Sequence, residues 1–311
     1  MHSSRLLTKI GFLLVLLLTF SALALAGPAY SAVVVYGDSL SDNGNLFGAI
    51  GYPPPPYYMG RFSNGPVAVE QLTADLGLPQ NALLDWAWGG ATTGIGNGVD
   101  NGNETMLGYL NLPGMTTSYI QTKGYITPQL AASALFMVWG GPNDFATNGL
   151  SQQTADNAVN YTMGIVNGLQ SLGVQHILVP GMPDLGKTPQ YIQHGLGTVG
   201  SQLSAYFNAE LLKALQGKGV FYFDTYALLD DVIANPAKYG FTDVTDPCFD
   251  GMNVCADPDK YLFWDDFHPT TYADSILAKD FYETVTPEPA SLIMLGTGVV
   301  GVFGYIRRKT A

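Results

Sequence analysis

The sequence is poor in metal-binding side chains: its 311 residues include only two cysteines and four histidines. Cys248 and Cys255 have no other cysteine or histidine near them in the sequence, and His176 and His194 lack the spacing of metal ligands. We therefore expect neither histidine to bind a metal and predict a protein without a metal site.

Positive charge is also scarce, with 13 lysine and arginine residues against 25 acidic ones. Five of the basic residues and one acidic residue lie in residues 1–32 and 287–311, which leaves 8 against 24 for residues 33–286, a net charge of −16. Such a surface repels the phosphate backbone of nucleic acids and anionic lipid headgroups, so a nucleic-acid-binding protein is excluded. No internal repeat or long linker divides residues 33–286, which predicts one domain.

Residues 1–32 have the pattern of a secretory signal peptide. Two basic residues precede an uncharged apolar run from Ile10 to Ala26, and small residues offer cleavage at Ala24-Leu25-Ala26 or at Ala29-Tyr30-Ser31. An uncleaved membrane anchor is the alternative, because the run is nearly long enough to span a bilayer. Export leads to an oxidising compartment, so we predict a disulfide between Cys248 and Cys255.

The C-terminal residues 287–311 contain a second apolar segment. Pro287-Glu288-Pro289 precedes the uncharged run from Ala290 to Ile306, and Arg307-Arg308-Lys309 follow directly. A helix over 290–306 measures about 25 Å, a short but feasible transmembrane span that leaves the basic cluster in the cytoplasm and the main body outside. A buried or amphipathic helix is the alternative, and the absence of a polar face argues against it.

This order of Pro-Glu-Pro, apolar run and basic cluster resembles the PEP-CTERM sorting signal of Gram-negative bacteria. The resemblance implies an exosortase-type sorting partner and a transient anchor in the inner membrane. It also implies an exported protein that ends at the cell surface or outside the cell.

Between the two ends, continuous apolar strands alternate with helices. The predicted strands are residues 33–36, 82–86, 134–139, 176–179 and 220–223. The predicted helices are residues 66–76, with Asn64 as the cap and Pro66 at the first position, and residues 127–133, 151–172, 199–216 and 271–282. Strands that are apolar throughout predict a parallel sheet covered by helices on both faces, with functional sites at the carboxyl ends of its strands.

Three residues from opposite ends of this domain form a candidate catalytic group. Ser39 follows the first strand directly, and His268 near the end of the chain is a candidate general base for it. Asp265 and Asp266 compete to orient that histidine. Residues three apart share the face of a helical turn and residues two apart do not, so we favour Asp265 and expect Asp266 to face solvent.

A nucleophilic serine also needs hydrogen-bond donors for the oxyanion of the tetrahedral intermediate. Gly90 follows the second strand and offers an N–H without a side chain, and Asn143 follows the third strand and offers its amide. The N–H of Ser39 is the third candidate donor. Turn formation is the alternative role of Gly90 and Asn143, and we expect Asp144 to brace a turn.

No GxSxG motif is present, which argues against the classical α/β-hydrolases. Instead, the domain resembles the GDSL family of lipases and esterases, the SGNH hydrolases. The four motifs that carry the resemblance are Gly37–Asn45, Gly89–Thr92, Gly141–Asp144 and Asp265–Thr270. One departure is Asp85, where the family often has asparagine, and it puts the local hydrogen bonding in question.

The resemblance implies a flavodoxin-like α/β fold, a three-layer α/β/α sandwich with a central parallel sheet. It implies hydrolysis of carboxylic esters by Ser39, His268 and Asp265, with Ser39, Gly90 and Asn143 as oxyanion donors. The leading interpretation is a secreted esterase or lipase that acts on a small-molecule, lipid or polysaccharide ester. An O-acetyl esterase of exopolysaccharide is the alternative, and a non-catalytic extracellular matrix protein is the third interpretation.

Overall fold

The computed structural model describes residues 30–286, of which residues 30–284 form one compact unit. Most of the predicted signal peptide and the whole predicted helix at 290–306 lie outside the described residues. Within residues 30–286 the helices are too short or too polar to cross a bilayer.

A five-stranded sheet forms the centre of the domain, in the order β2-β1-β3-β4-β5 with every pair parallel. The strands are β1 (Val33–Gly37), β2 (Leu83–Asp85), β3 (Leu135–Trp139), β4 (His176–Pro180) and β5 (Phe221–Phe223). All five predicted strands are confirmed, and the order is that of a flavodoxin-like fold. Because every residue of β1 and β3 is buried, helices must cover both faces of the sheet.

Eleven α-helices lie within residues 30–286: α1 (Asn45–Ile50), α2 (Ala68–Asp75), α3 (Met115–Thr122), α4 (Pro128–Ser133), α5 (Pro142–Asn148), α6 (Gln152–Ser171), α7 (Pro189–Gln193), α8 (Gly197–Leu215), α9 (Thr225–Ala234), α10 (Pro236–Tyr239) and α11 (Thr271–Val285). On one face of the sheet, Val34 and Phe136 pack in a cluster with Val166 of α6 and Phe207 of α8. On the other face, Phe281 of α11 packs edge-on against the aromatic rings at the ends of β3 and β5. The expected three-layer α/β/α sandwich is confirmed.

The predicted start of the second helix is wrong. Helix α2 begins at Ala68, and the N–H of Val67 is capped from within the helix by the Glu70 carboxylate at 3.1 Å. The Asn64 side chain serves a different helix, because its Oδ1 accepts the N–H of Thr271 at the start of α11, 2.8 Å away. The sequence indicated the nearest helix as the one that Asn64 caps, but the segment between Asn64 and Ala68 is not helical, so Asn64 does not reach the start of α2.

A small parallel pair, β6 (Asp243–Pro247) and β7 (Tyr261–Phe263), lies outside the main sheet and is not predicted by the sequence. The loop between these strands carries the disulfide Cys248–Cys255. Within the loop, Phe249 stacks on Trp264, with ring centroids 5.8 Å apart, and meets the edge of Tyr57. The crosslinked loop therefore packs against the segment that leads to His268.

Removing this disulfide is expected to lower stability and leave activity at 25 °C intact. A loop of this length contributes about 2–3 kcal/mol by restricting the unfolded chain, so the Cys248→Ser/Cys255→Ser double variant should melt about 4–12 °C lower. Thermal melting with and without reductant measures the effect, and the double variant is its own control because reductant should not lower its Tm further. An unchanged Tm of the unaltered protein in reductant would mean that the bond does not form.

Candidate active site

Three loops meet at the carboxyl edge of the sheet, following β1, β2 and β3. The Asp42 carboxylate ties the first two together, because its Oδ2 accepts the N–H of Leu46 at 3.1 Å and that of Gly89 at 2.7 Å. The third loop joins them through Asn143, whose Nδ2 donates to the carbonyl oxygen of Ala91 at 3.1 Å. The parallel topology thus brings motifs that are separated by many residues in sequence to one crevice.

Ser39, His268 and Asp265 form one continuous hydrogen-bonded chain. The hydroxyl of Ser39 lies 2.8 Å from Nε2 of His268, and Nδ1 of the same ring lies 2.8 Å from Oδ2 and 3.0 Å from Oδ1 of Asp265. All three side chains are largely buried. An imidazole held in this way can accept the serine proton at Nε2 while its Nδ1–H donates to the carboxylate.

Asp265, rather than Asp266, contacts the histidine, although for a reason other than helical spacing. Residues 264–268 form a series of bends, in which Oδ1 of Asp265 accepts the N–H groups of Phe267 and His268 at 2.8 and 2.6 Å. This turn folds the chain back so that the histidine ring meets its own carboxylate. The side chain of Asp266 is exposed.

Tyr57 is a member of the site that sequence reasoning missed. Its hydroxyl donates to Oδ2 of Asp265 at 2.7 Å, from a loop more than 200 residues away in the sequence. The only sequence signal was the aromatic and proline-rich stretch from Tyr52 to Tyr58, which indicates a stiff loop but no hydrogen-bond partner. Tyr57 and the histidine therefore hold the same carboxylate oxygen, and together they fix the orientation of the carboxylate.

Asp265 and His268 each stabilise the charged form of the other, although both are buried. Burial alone would lower the pKa of His268, but the Asp265 carboxylate outweighs it, and the pKa is raised above its usual value. Burial would likewise raise the pKa of Asp265, but the histidine, the turn N–H groups and the Tyr57 hydroxyl hold it below the usual range. Phe62 covers the imidazole with ring centroids 4.9 Å apart, which limits the access of water to the pair.

Tyr57→Phe is expected to lower kcat/KM about tenfold and to move its acid limb to higher pH. Activity requires neutral His268, so kcat/KM falls as the pH drops through the raised pKa of that group. Without the hydroxyl the negative charge of Asp265 is less compensated, which raises the pKa of His268 further. Tyr58→Phe is the matched control, since the Tyr58 side chain is 41% exposed and its ring packs with Arg61. Two coincident pH profiles would contradict the positioning role of Tyr57.

Gly90 occupies a position that only glycine fits. Its φ is +77°, and a Cβ there would lie 2.5 Å from Val99 and 2.6 Å from Asn97 Oδ1. Asn97 holds the same turn by donating to the carbonyl oxygen of Gly89 at 2.8 Å. Within residues 30–286 the backbone N–H groups of Ser39 and Gly90 donate to no acceptor, so both are available to a ligand.

Asn143 is held by its neighbour in the third motif. Asp144 is completely buried and accepts from both the N–H and the hydroxyl of Thr93, at 2.9 and 2.7 Å, which fastens the third loop to the second. Asn143 donates one amide hydrogen to the carbonyl oxygen of Ala91, and its other amide hydrogen has no acceptor within residues 30–286, so it is available to a ligand. The bracing that we expected of Asp144 is thus a tie between two loops of the site.

Two further buried carboxyl groups lie beneath the serine loop. Burial raises the pKa of Asp38 to about 6, and its Oδ1 accepts the N–H of Leu40 at 3.0 Å. Burial and the nearby Asp42 raise the pKa of Asp85 well above its usual range. Asp85 accepts the N–H groups of Asn43 and Ala87, each at 2.9 Å, so its carboxyl group links the first motif to the segment that leads into the second.

The sequence comparisons agree with this site. Residues 33–281 match the GDSL-like Lipase/Acylhydrolase family, and the chain belongs to it. Residues 285–309 match the PEP-CTERM protein-sorting motif, which implies export and association with the cell surface. The resemblances stated from the sequence are confirmed, and the protein is an ester-bond hydrolase.

Three relatives illustrate the range of the family. A phosphatidylcholine-sterol acyltransferase of Aeromonas hydrophila is 32% identical over 73% of this chain and 68% of its own length. A thermolabile hemolysin of Vibrio parahaemolyticus is 28% identical over 81% of this chain and 63% of its own, so the chain spans less than two thirds of that relative. A GDSL esterase/lipase of Arabidopsis thaliana is 27% identical over 89% of this chain and 97% of its own.

Proposed function

We propose that the protein is an exported serine esterase in which Ser39 is the nucleophile, His268 the general base and Asp265 the residue that orients the base. The observation that carries the proposal is the 2.8 Å contact between the Ser39 hydroxyl and Nε2 of His268, continued by the contacts of Nδ1 with Asp265. The N–H groups of Ser39 and Gly90 and the free amide hydrogen of Asn143 are the proposed oxyanion donors.

In the proposed reaction, His268 takes the hydroxyl proton as Ser39 attacks the ester carbonyl, and the oxyanion forms against the three donors. His268 then gives the proton to the departing alcohol, which leaves an acyl group on Ser39. Water that is activated by the same histidine releases the acid and restores the serine. Asp265 stabilises the imidazolium in both halves of the reaction, and no metal or organic cofactor takes part.

The first test is to incubate the purified protein with p-nitrophenyl esters and, separately, with a fluorophosphonate that modifies activated serines. We expect hydrolysis that the fluorophosphonate abolishes, with one adduct that peptide mass spectrometry assigns to Ser39. An adduct on any other serine, or hydrolysis that persists after complete labelling of Ser39, would contradict the proposal. Heat-denatured protein is the control for labelling that does not depend on the site.

We also propose residues 33–286 as the hydrolase domain, an export signal within residues 1–32, and residues 287–311 as a sorting tail with a membrane-anchoring helix at 290–306. The packing of Tyr30 supports cleavage at Ala24-Leu25-Ala26 over the later site. Its side chain is 6% exposed and its ring meets His176 edge-on, with centroids 5.3 Å apart. The signal would then end before residue 30.

N-terminal sequencing of the exported protein is expected to give a chain that begins at residue 27. Cleavage there keeps Tyr30 against His176 and keeps the bond from the Ser31 N–H to the carbonyl oxygen of Ser133, 2.9 Å long. Cleavage after Ser31 would remove both contacts. A mature chain that begins at residue 32 would contradict this boundary, and an intact N-terminus would favour the uncleaved anchor.

Deacetylation of an exopolysaccharide is the second candidate, and the sorting motif favours it because that motif directs proteins to the cell surface. The two candidates share the proposed site and differ in the acyl group. Acetate released from acetylated polysaccharide, without hydrolysis of longer esters, would favour the second candidate.

A further inference from the structure

An apolar cavity of about 80 Å³ lies between α9, α11 and strand β7. Leu229 and Val232 line it from α9, Ala273 from α11 and Phe263 from β7. Among the described residues, none of those that line it is charged. A space of this kind, walled by hydrocarbon groups, excludes water and attracts apolar ligands.

The few polar groups in the wall are already used. The indole N–H of Trp139 and the hydroxyl of Thr225 both donate to the carbonyl oxygen of Gly181, at 2.9 and 2.6 Å. The hydroxyl of Thr188 donates to the carbonyl oxygen of Leu185 at 2.7 Å. None of these three groups has a hydrogen left for a ligand, so a sugar with several hydroxyl groups would lose its hydrogen bonds to water on entry. The cavity therefore suits a hydrocarbon chain.

One end of the cavity reaches the catalytic loops. Leu40 lines it and follows Ser39 in the chain, and Phe267 and Pro269 line it on either side of His268. Ser39 and His268 do not line the cavity themselves. The chain neighbours of Ser39 and His268 thus form part of the cavity wall, which places the cavity beside the segments that carry the serine and the histidine.

We propose that this cavity binds the aliphatic acyl chain of the substrate, which makes the enzyme selective for acyl groups longer than acetyl. The inference rests on the proposed function, because it assumes that the ester carbonyl is attacked by Ser39. Each methylene that moves from water into an apolar site strengthens binding about fourfold. An octanoyl ester should therefore exceed an acetyl ester in kcat/KM by about 100-fold if only part of its chain is buried.

The test compares kcat/KM for p-nitrophenyl acetate and octanoate in variants that fill the cavity from opposite walls. Leu229→Trp fills it from α9 and Ala273→Leu from α11. Each variant should lower the ratio of kcat/KM for octanoate to kcat/KM for acetate at least tenfold. Its kcat/KM for acetate should stay within about threefold of that of the unaltered enzyme. Leu212→Trp on α8, at a side chain that is 48% exposed, is the matched control and should leave the ratio unchanged.

A second measurement does not depend on turnover. In the Ser39→Ala protein, decanoate should raise the Tm, and adding Leu229→Trp should abolish that shift. An unaltered enzyme that prefers acetate, or a ratio unchanged in both folded filling variants, would overturn the cavity proposal while acetate hydrolysis stays dependent on Ser39. Failure of the proposed function is distinct, since acetate hydrolysis would then survive Ser39→Ala.

Discussion

Ser39→Ala is expected to lower kcat for p-nitrophenyl ester hydrolysis by at least about 10⁴-fold, with little change in folding stability. The hydroxyl is the only group of this residue that contacts His268, at 2.8 Å, and its removal leaves the imidazole without an atom to activate. The oxyanion donors and the bound substrate remain, so a small residual rate above that in water is also expected.

Ser41→Ala is the matched control, because it makes the same change two residues along the same loop. The Ser41 side chain is completely buried, and its hydroxyl has no hydrogen-bond partner among the described residues, so its loss should affect neither activity nor folding adversely. Steady-state assays of p-nitrophenyl ester hydrolysis measure kcat for both variants, after circular dichroism has verified that they fold. A loss below tenfold in Ser39→Ala, or equal losses in the two variants, would show that the ester is cleaved elsewhere.

Asp265→Asn is expected to lower kcat/KM by about 10⁴-fold, the second of the two largest effects. An asparagine can keep the turn, since its Oδ1 can still accept the N–H groups of Phe267 and His268. Its amide nitrogen, however, donates a hydrogen bond to Nδ1 of His268, whereas the carboxylate of Asp265 accepts one from that atom. The ring then carries its proton on Nε2 and can no longer accept the proton of Ser39.

Asp266→Asn removes a neighbouring charge by the same chemical change and is the control. Its side chain is exposed, and Asp266 contributes to the raised pKa of His268 only as a lesser, more distant charge. We expect kcat/KM at pH 8 to change less than about threefold and the acid limb to move slightly to lower pH. Equal losses in the two variants would refute the assignment of Asp265, and a larger loss in Asp266→Asn would reverse it.

The central sheet could be predicted from the sequence because its strands are continuous apolar runs of limited length. Val33–Gly37 and Leu135–Trp139 are buried on both faces, and such runs indicate a parallel sheet without knowledge of their partners. The pair β6 and β7 was not predicted, because Asp243–Pro247 is polar and partly exposed and carries no such signal. Its position depends on packing with residues that are distant in the sequence.

The site divides in a similar way. Five residues of the site could be predicted because they lie in short motifs whose residue types indicate a serine hydrolase: Ser39, Gly90, Asn143, Asp265 and His268. Those motifs directly follow strands or precede a helix. Tyr57 has no such motif, because its partner is more than 200 residues away. Asn64 illustrates the same limit from the other side: its type indicates a helix cap, but the helix that it caps begins at Thr271.

The hydroxyl of Ser39 and the ring that would activate it come from opposite ends of the domain, 229 residues apart. During synthesis and translocation, a chain that has emerged with its serine still lacks the histidine, its carboxylate and the last helix against the sheet. Fragments that end before residue 268 therefore have no base, and a chain of that length hydrolyses nothing while it is still being made. Under the proposed mechanism, hydrolytic activity therefore reports that the domain has folded as far as His268 and its carboxylate.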